Sequence, residues 1–281
     1  MNLRKTVSHR LLLPIMGAAS LFVAAVPVSG QASQLPGAAA AAARLGVDPQ
    51  VIDDLVTANR ILAHEGVLDA YGHVSIRDPN RPDHFLISRS AAAEFVTADD
   101  IIEYDLDSNA VSPSDSREFI ERFIHGEIYK ARPDVQAIIH SHSPAVIPFS
   151  VGTVPLRPVF HMAGFLAAGV PVWDPETTND PEAAGMLVRN PALGASLAAT
   201  LGKKPAVLLR GHGAVVVSRE LRNAVRNAIF LEVNARIQSA AIALGGPIKY
   251  ITPEEAAAML RGRGDPDRAW DYWRRRALGP K

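Results

Sequence analysis

Two histidines stand two apart, His140-Ser141-His142, at the end of an apolar run over residues 135–139. A third lies between glycines, Gly211-His212-Gly213, after a second apolar run over residues 206–209. Strand residues i and i+2 share a face, so His140 and His142 can reach one ion together while Ser141 points away. Flanking glycines let the backbone at His212 turn tightly beside a ligand. Three neutral imidazoles converging from two strand ends suit one divalent ion per chain, Zn2+ or Mn2+, with a position left for substrate. The chain has nine histidines, and each of the three alone reads equally as a surface or hydrogen-bonded core residue. The pair and the third together make the case for metal. Glu121 adds a carboxylate one helix earlier, on the same face as His125 at i, i+4. Shielded beside a metal it would serve as general acid/base, or as a fourth ligand until substrate arrives. The competing reading is a solvated glutamate on a helix face.

Composition narrows the function classes. The 281 residues carry 29 basic and 29 acidic side chains, and no Lys/Arg-rich run, so no nucleic-acid partner is implied. There is no cysteine, which excludes disulfides, thiolate metal sites and a cysteine nucleophile. Arg4, Lys5 and Arg10 precede an apolar stretch over residues 11–28, followed by Ser29-Gly30-Gln31-Ala32. That is the order of a secretory signal peptide. An uncleaved anchor is the alternative, because the stretch approaches the length of a span; Pro14 and Pro27 weigh against it. The expectation is cleavage near residues 28–32 and a periplasmic or secreted protein with no stable membrane insertion. Three basic residues leave with the leader and no acidic one, so the remainder is mildly acidic.

The elements that must position the site follow from periodicity and breakers. The plan is a signal peptide over 1–32, an Ala-rich linker over 33–47 and one domain over 48–281, with residues 38–43 opening a short helix or staying loose. Asp48-Pro49 starts a helix over 51–65, with Val51, Leu55, Ala58 and Leu62 on its buried side and Gly66 at its end. Strands are expected at 73–77, 85–88 and 104–106. A helix over 116–131, with Ile120, Phe123, Ile124 and Ile128 as its stripe, precedes the strand that delivers His140. Residues 143–149 and 190–201 read as helices, and 170–173, 208–209 and 214–217 as strands. Long and short helices follow over 220–244, from Thr252, and around Trp270-Asp271-Tyr272-Trp273. No repeat or second boundary is evident, and one α/β domain with a mixed sheet between helices is the economical architecture.

The joint pattern Glu121-x-x-x-His125, Tyr129-Lys130-Ala131-Arg132-Pro133-Asp134-Val135, His140-Ser141-His142 and Arg210-Gly211-His212-Gly213 resembles the class II aldolase/adducin family over residues 51–245. The resemblance implies a three-layer α/β/α sandwich with a mainly antiparallel sheet, and a homo-oligomer, commonly a tetramer. It assigns ligand roles to His140, His142 and His212, and proton transfer to Glu121. Family members that cleave sugar phosphates cradle phosphate with Gly-Asn-x-Ser; here the segment reads Gly72-His73-Val74-Ser75. Their Thr-Pro-Ser-Gly is Ser88-Arg89-Ser90-Ala91, and their Ser-Ser before the glutamate is only loosely matched by Ser114-Asp115-Ser116-Arg117. An imidazole for a compact amide and a lost glycine would spoil backbone donation to phosphate.

The same departures, with Ala58-Asn59-Arg60-Ile61-Leu62, Leu156-Arg157-Pro158-Val159 and His161, are similar to a subgroup containing a hydroxypyridine-dicarboxylate decarboxylase. Arg89, Arg117 and Arg157 suit carboxylates through their planar forks, with plain surface charge as the alternative. His73, Ser75, Ser88 and His161 complete the candidate substrate contacts; for the histidines a core hydrogen bond is the rival reading. Tyr250 and Tyr272 are candidate proton donors from a neighbouring subunit, against core or surface roles. The expected chemistry is metal-dependent cleavage of a carbon–carbon bond through a stabilised enolate, with decarboxylation of a hydroxylated aromatic acid favoured. An aldolase or dehydratase on a non-phosphorylated small molecule and a non-catalytic adducin-like module are the alternatives.

Overall fold

Short runs of Ile, Val and Leu pair into one seven-stranded sheet. The strands are β1 (His73–Arg77), β2 (His84–Ser88), β3 (Ile101–Asp105), β4 (Ala137–Ser141), β5 (Val172–Trp173), β6 (Ala206–Leu209) and β7 (Gly213–Ser218), in the order β3-β2-β1-β4-β7-β6-β5. The molecule was obtained as a computed structural model that describes residues 35–112, 117–261 and 266–279. All neighbouring strands are antiparallel except β5 and β6.

Alternation sends successive side chains to opposite faces. Val74, Ile76, Leu86, Ala137, Ile139, Leu208 and Val216 enter one apolar cluster. It is closed by α1 (Ala38–Leu45), α2 (Pro49–His64), α6 (Leu221–Leu244) and α8 (Pro266–Leu278). Phe85, Ile87, Ile138, Val207, Val215 and Val217 enter the other, closed by α3 (Arg122–Ala131) and α5 (Pro191–Leu201). The remaining helices are α4 (Ile147–Val151) and α7 (Pro253–Arg261). A mixed, mainly antiparallel sheet between two helical layers is the α/β/α sandwich that the sequence implies.

Local chemistry sets the helix ends. The Asp48 carboxylate accepts from the Gln50 amide ahead of α2, which stops at Gly66 in the left-handed region (φ 70°). Asn190 caps α5 by accepting from the Leu193 amide. On α6, buried Asn234 and Gln238 bond the Pro155, Arg157, Val159 and Phe160 backbone, which fixes the loop ahead of the 3-10 segment His161–Ala168.

Several boundaries differ from expectation. Within the segment placed in a linker, residues 38–45 take the helical of the two options and run two residues past 43, with Ala38, Ala41, Ala42 and Leu45 in the core. The helix expected over 116–131 begins only at Arg122; Phe119 is buried and Ile120 is exposed, so Ile120 is not on the buried stripe. β3 lies three residues before the strand expected at 104–106, and α4 lies four residues beyond the start expected at 143. The leader over 1–32 and Ser114-Asp115-Ser116 lie outside the described residues. Among those described, no helix is long and apolar enough to cross a membrane.

Candidate metal centre

β4 ends in its pairing with β7, where Ser141 lies opposite Ala214. His140 is therefore held on the last turn of the pleat, and His142 follows one residue beyond the strand. His212 sits in the tight turn between β6 and β7, whose last pair is Leu209 and Gly213. Both glycines around it are required. Gly211 has φ 63°, and a Cβ on Gly213 would overlap the Ser141 carbonyl oxygen. Glu121 occupies the residue before α3, where the helix N-terminus favours a carboxylate. One ligand atom from each of Glu121, His140, His142 and His212 lies within 4.8 Å of the others.

The hydrogen bonds settle which ring nitrogens face inward. His142 Nδ1 lies 3.0 Å from Asp69 Oδ2, an acceptor, and His212 Nδ1 lies 3.0 Å from the Met186 carbonyl oxygen. Each Nδ1 therefore carries the proton, and each Nε2 presents a lone pair. Yet His142 Nε2 and His212 Nε2 are only 3.0 Å apart. Two lone pairs at that distance repel unless a cation lies between them. Glu121 Oε2 is 3.4 Å from His140 Nε2 and 3.5 Å from His212 Nε2. Tetrahedral ligands about 2.0–2.1 Å from zinc would be spaced by about 3.3–3.4 Å, and these three separations of 3.0, 3.4 and 3.5 Å lie near that value. His140 is wholly buried, and neither of its ring nitrogens has a hydrogen-bond partner, an orphaned polar group of the kind a metal satisfies.

Electrostatics agree with a cation-ready site. Burial, aided by the neighbouring His140, lowers His212 to about 4, so its imidazole is neutral at ordinary pH. Burial alone would raise the Glu121 carboxyl, but His140, His212 and the Val188 amide more than offset it and hold it at about 2. Its other oxygen, Oε1, accepts from Val188 N–H at 2.8 Å. Burial also opposes the Asp69 carboxylate, and its bond to His142 and those from the Tyr71 and Gly72 amides keep it below its usual range.

Of the candidate substrate contacts, His73 lies beside this group. His73 pairs with His140 across β1 and β4, and their rings are 5.1 Å apart. Ser75 is two residues deeper and wholly buried, with its hydroxyl between His125 and Tyr129, so it offers no surface to a ligand. Ser88 is buried at the end of β2 and has no hydrogen-bond partner; alternation turns it, with Leu86, toward the opposite face from Ile87. Arg89 pairs with Asp100. Arg117 is exposed and offers its carbonyl to the Ser90 amide. Arg157 lies exposed over the Tyr250 ring at 3.9 Å, held by α6, and His161 is exposed beside Phe160. Tyr272 is exposed on α8. Residues that sequence reasoning missed are Asp69, Met186 and Val188. A turn signal did exist for Asp69, whose Oδ1 accepts from the Tyr71 and Gly72 amides.

Three histidines at strand ends of a mixed sheet and a carboxylate at the start of α3 form, in an α/β protein, a group that could hold a metal ion. Residues 53–239 match the family described as Class II Aldolase and Adducin N-terminal domain. The chain is 38% identical to decarboxylase tropJ of Talaromyces stipitatus, over 76% of this chain and 88% of the relative. It is 30% identical to a 3,4-dihydroxyphthalate decarboxylase of Arthrobacter keyseri, over 78% of this chain and 90% of the relative. Among solved structures, L-fuculose 1-phosphate aldolase from Glaciozyma antarctica superposes with a TM-score of 0.65 at 26% identity, covering 82% of this chain and 87% of that one. The chain belongs to the class II aldolase/adducin family. It stands with that family's lyases, since these relatives are decarboxylases and aldolases.

Proposed function

We propose that this enzyme is a divalent-metal-dependent lyase that decarboxylates a hydroxylated aromatic carboxylic acid. One observation carries the metal dependence: two imidazole lone pairs, on His142 and His212, face each other at 3.0 Å beside the Glu121 carboxylate. Similarity to decarboxylases over most of their length, one of them a 3,4-dihydroxyphthalate decarboxylase, supports the reaction type.

An ion held by His140, His142 and His212 supplies electrophilic stabilisation of negative charge on a substrate oxygen. Glu121 enters as the anion, because its carboxyl is held at about 2. The proton it handles therefore comes from the substrate. Glu121 Oε2 takes the hydroxyl proton as the substrate oxygen binds. Glu121 then returns the proton to the ring carbon that bears the carboxylate, giving a cyclohexadienone, and is an anion again. The bond to the carboxyl carbon breaks, carbon dioxide leaves, and the electron pair restores the aromatic ring with the negative charge on that oxygen. The Val188 amide, on Oε1, keeps the carboxylate aimed throughout. Export directed by residues 1–32 and assembly into a tetramer belong to the same proposal.

The test is metal content by elemental mass spectrometry on protein purified without a metal-binding tag, followed by assay of dihydroxylated benzoic and phthalic acids for carbon dioxide. About one divalent ion per chain and carbon dioxide release are expected. Aldehyde release from a non-phosphorylated hydroxy acid, with no carbon dioxide, would replace decarboxylation by aldol cleavage. Absence of metal after incubation with zinc and manganese removes the metal-dependent reading.

A further inference from the structure

Behind the metal centre four wholly buried polar side chains form one hydrogen-bonded line. His73 Nδ1 lies 2.7 Å from His125 Nε2, His125 Nδ1 lies 2.6 Å from Ser75 Oγ, and Ser75 Oγ lies 2.9 Å from the Tyr129 hydroxyl. The line starts beside His140 and ends under the Arg77 guanidinium, which sits 4.6 Å from the Tyr129 ring centre and donates to the Tyr129 carbonyl. No step of the proposed reaction uses it, although four buried polar groups inside an apolar cluster are costly unless fully paired.

The pairing allows only one economical arrangement of protons. Suppose His73 donates from Nδ1 to His125. Then His125 must donate from Nδ1 to Ser75, and one of the two hydroxyl protons, on Ser75 or Tyr129, has no acceptor among the described residues. A buried hydroxyl proton without an acceptor loses its solvation with no return. In the reverse direction every proton within the line is used. Tyr129 O–H donates to Ser75, Ser75 O–H to His125 Nδ1, and His125 Nε2–H to His73 Nδ1. His73 is then left with its proton on Nε2, on the ring edge turned away from His125; this leftover donor is not among the buried nitrogens that lack a partner, whereas a leftover Ser75 or Tyr129 hydroxyl proton would be enclosed inside the line. Burial keeps the Tyr129 hydroxyl protonated and both histidines neutral, which agrees with this direction.

We infer that the Tyr129–Ser75–His125 line fixes His73 as an Nε2–H hydrogen-bond donor beside the metal centre, selecting an anionic oxygen, carboxylate or phenolate, on the substrate. Tyr129, Ser75 and His125 are positioning residues, and His73 is the group that meets substrate. No proton is transferred along the line. Its role is to present a donor that a hydroxyl or amino hydrogen cannot pair with and an oxygen anion can. This rests on the reading of the centre as a site for hydroxylated carboxylic acids.

Nitrogen NMR of the full chain labelled with 15N-histidine tests the inference without activity, in metal-free and zinc-loaded protein. The His73 signals are assigned by their loss in His73→Gln, or in His73→Asn if the first variant does not fold. One neutral tautomer with its proton on Nε2 is expected; a proton on Nδ1 overturns the inference. Ser75→Ala breaks the line at its centre. In that variant both His73 tautomers should appear, metal content should stay at one ion per chain, and calorimetric binding of 3,4-dihydroxybenzoate to zinc-loaded protein should weaken about tenfold or more. Unchanged tautomer and unchanged affinity in Ser75→Ala would equally overturn it. If the wild type carries the Nε2 proton yet does not bind the dihydroxybenzoate, the functional reading fails while the assignment of the proton stands.

Discussion

Asp69→Asn separates the supporting bond of His142, a candidate metal ligand, from the fold around it. Asp69 uses Oδ1 for the turn, accepting from the Tyr71 and Gly72 amides, and Oδ2 for His142 Nδ1 at 3.0 Å. Asparagine can keep the first function with its amide oxygen. Its NH2 group then faces the His142 N–H, donor against donor, and the bond that orients His142 is lost. Partners of this kind change metal affinity by roughly 10–100-fold. The Asp69 side chain is half-exposed (50%) and screened by solvent, so the lower end applies, about tenfold or 1.4 kcal/mol. At zinc one hundred times the wild-type dissociation constant, the ion stabilises the wild type by about 2.7 kcal/mol and the variant by about 1.4 kcal/mol. For a domain of this size that difference lowers the melting temperature by about 3–5 °C. The assay is a chelator-competition titration beside thermal melts with and without zinc. Equal zinc affinity in both proteins, or a melting loss of the same size without zinc, would refute the reasoning by making Asp69 a turn residue and nothing more.

Other perturbations address the remaining parts. Glu121→Gln keeps an acceptor for Val188 N–H and should retain fold and metal while carbon dioxide release falls by about 10²-fold or more, measured once a substrate is in hand. Gly213→Ala should destabilise the protein by about 1–3 kcal/mol or more in urea titration and lower metal content, because its methyl meets the Ser141 carbonyl that β4 needs in place. Burial, with the neighbouring His140, pushes His125 down to about 3, so the unfolded chain gains a proton below about 6.5 that the native protein refuses. The sign is loss of stability on acidification, at about 1.4 kcal/mol per pH unit for this group, or about 2 kcal/mol between pH 6.5 and 5; a urea midpoint that stays flat over that interval contradicts it. A reporter carrying residues 1–35 should be exported and cut, and a cytoplasmic, uncut product would remove the leader from the proposal.

What could be read in advance was the chemistry carried by short spacings. His140 and His142 converge because a pleat returns every second side chain to one face, and His212 joins them because only glycines fit on either side of it. Glu121 was placed in a helix that starts six residues too early. Apolar spacing from Ile120 onward imitates a helical stripe, whereas in the fold Phe119 takes the buried place and Ile120 faces solvent. Asp69, Met186 and Val188 were illegible for another reason. Each reaches the centre across 26 to 73 residues of chain, through a backbone group or a turn carboxylate that any residue pattern could supply. The arginines show the same limit, since composition gives their charge but not the layer or edge on which the chain leaves them.

The span between these partners also bears on how the protein assembles. His142 and His212 are 70 residues apart in the chain, and His142 and Asp69 are 73 apart. An unfolded chain therefore offers a cation little beyond the short-range His140 and His142 pair, and closing the remaining loops carries the entropy of long segments. Strand pairing of β4 with β7 has to come first, and it belongs to the slow, non-local class of folding events. Uptake of an ion at this centre would then be a late event, sealing a sheet already formed. A refolding chain that took up zinc stoichiometrically would have completed the 70- and 73-residue closures that build the centre, so ion uptake would serve as a clock for that part of folding.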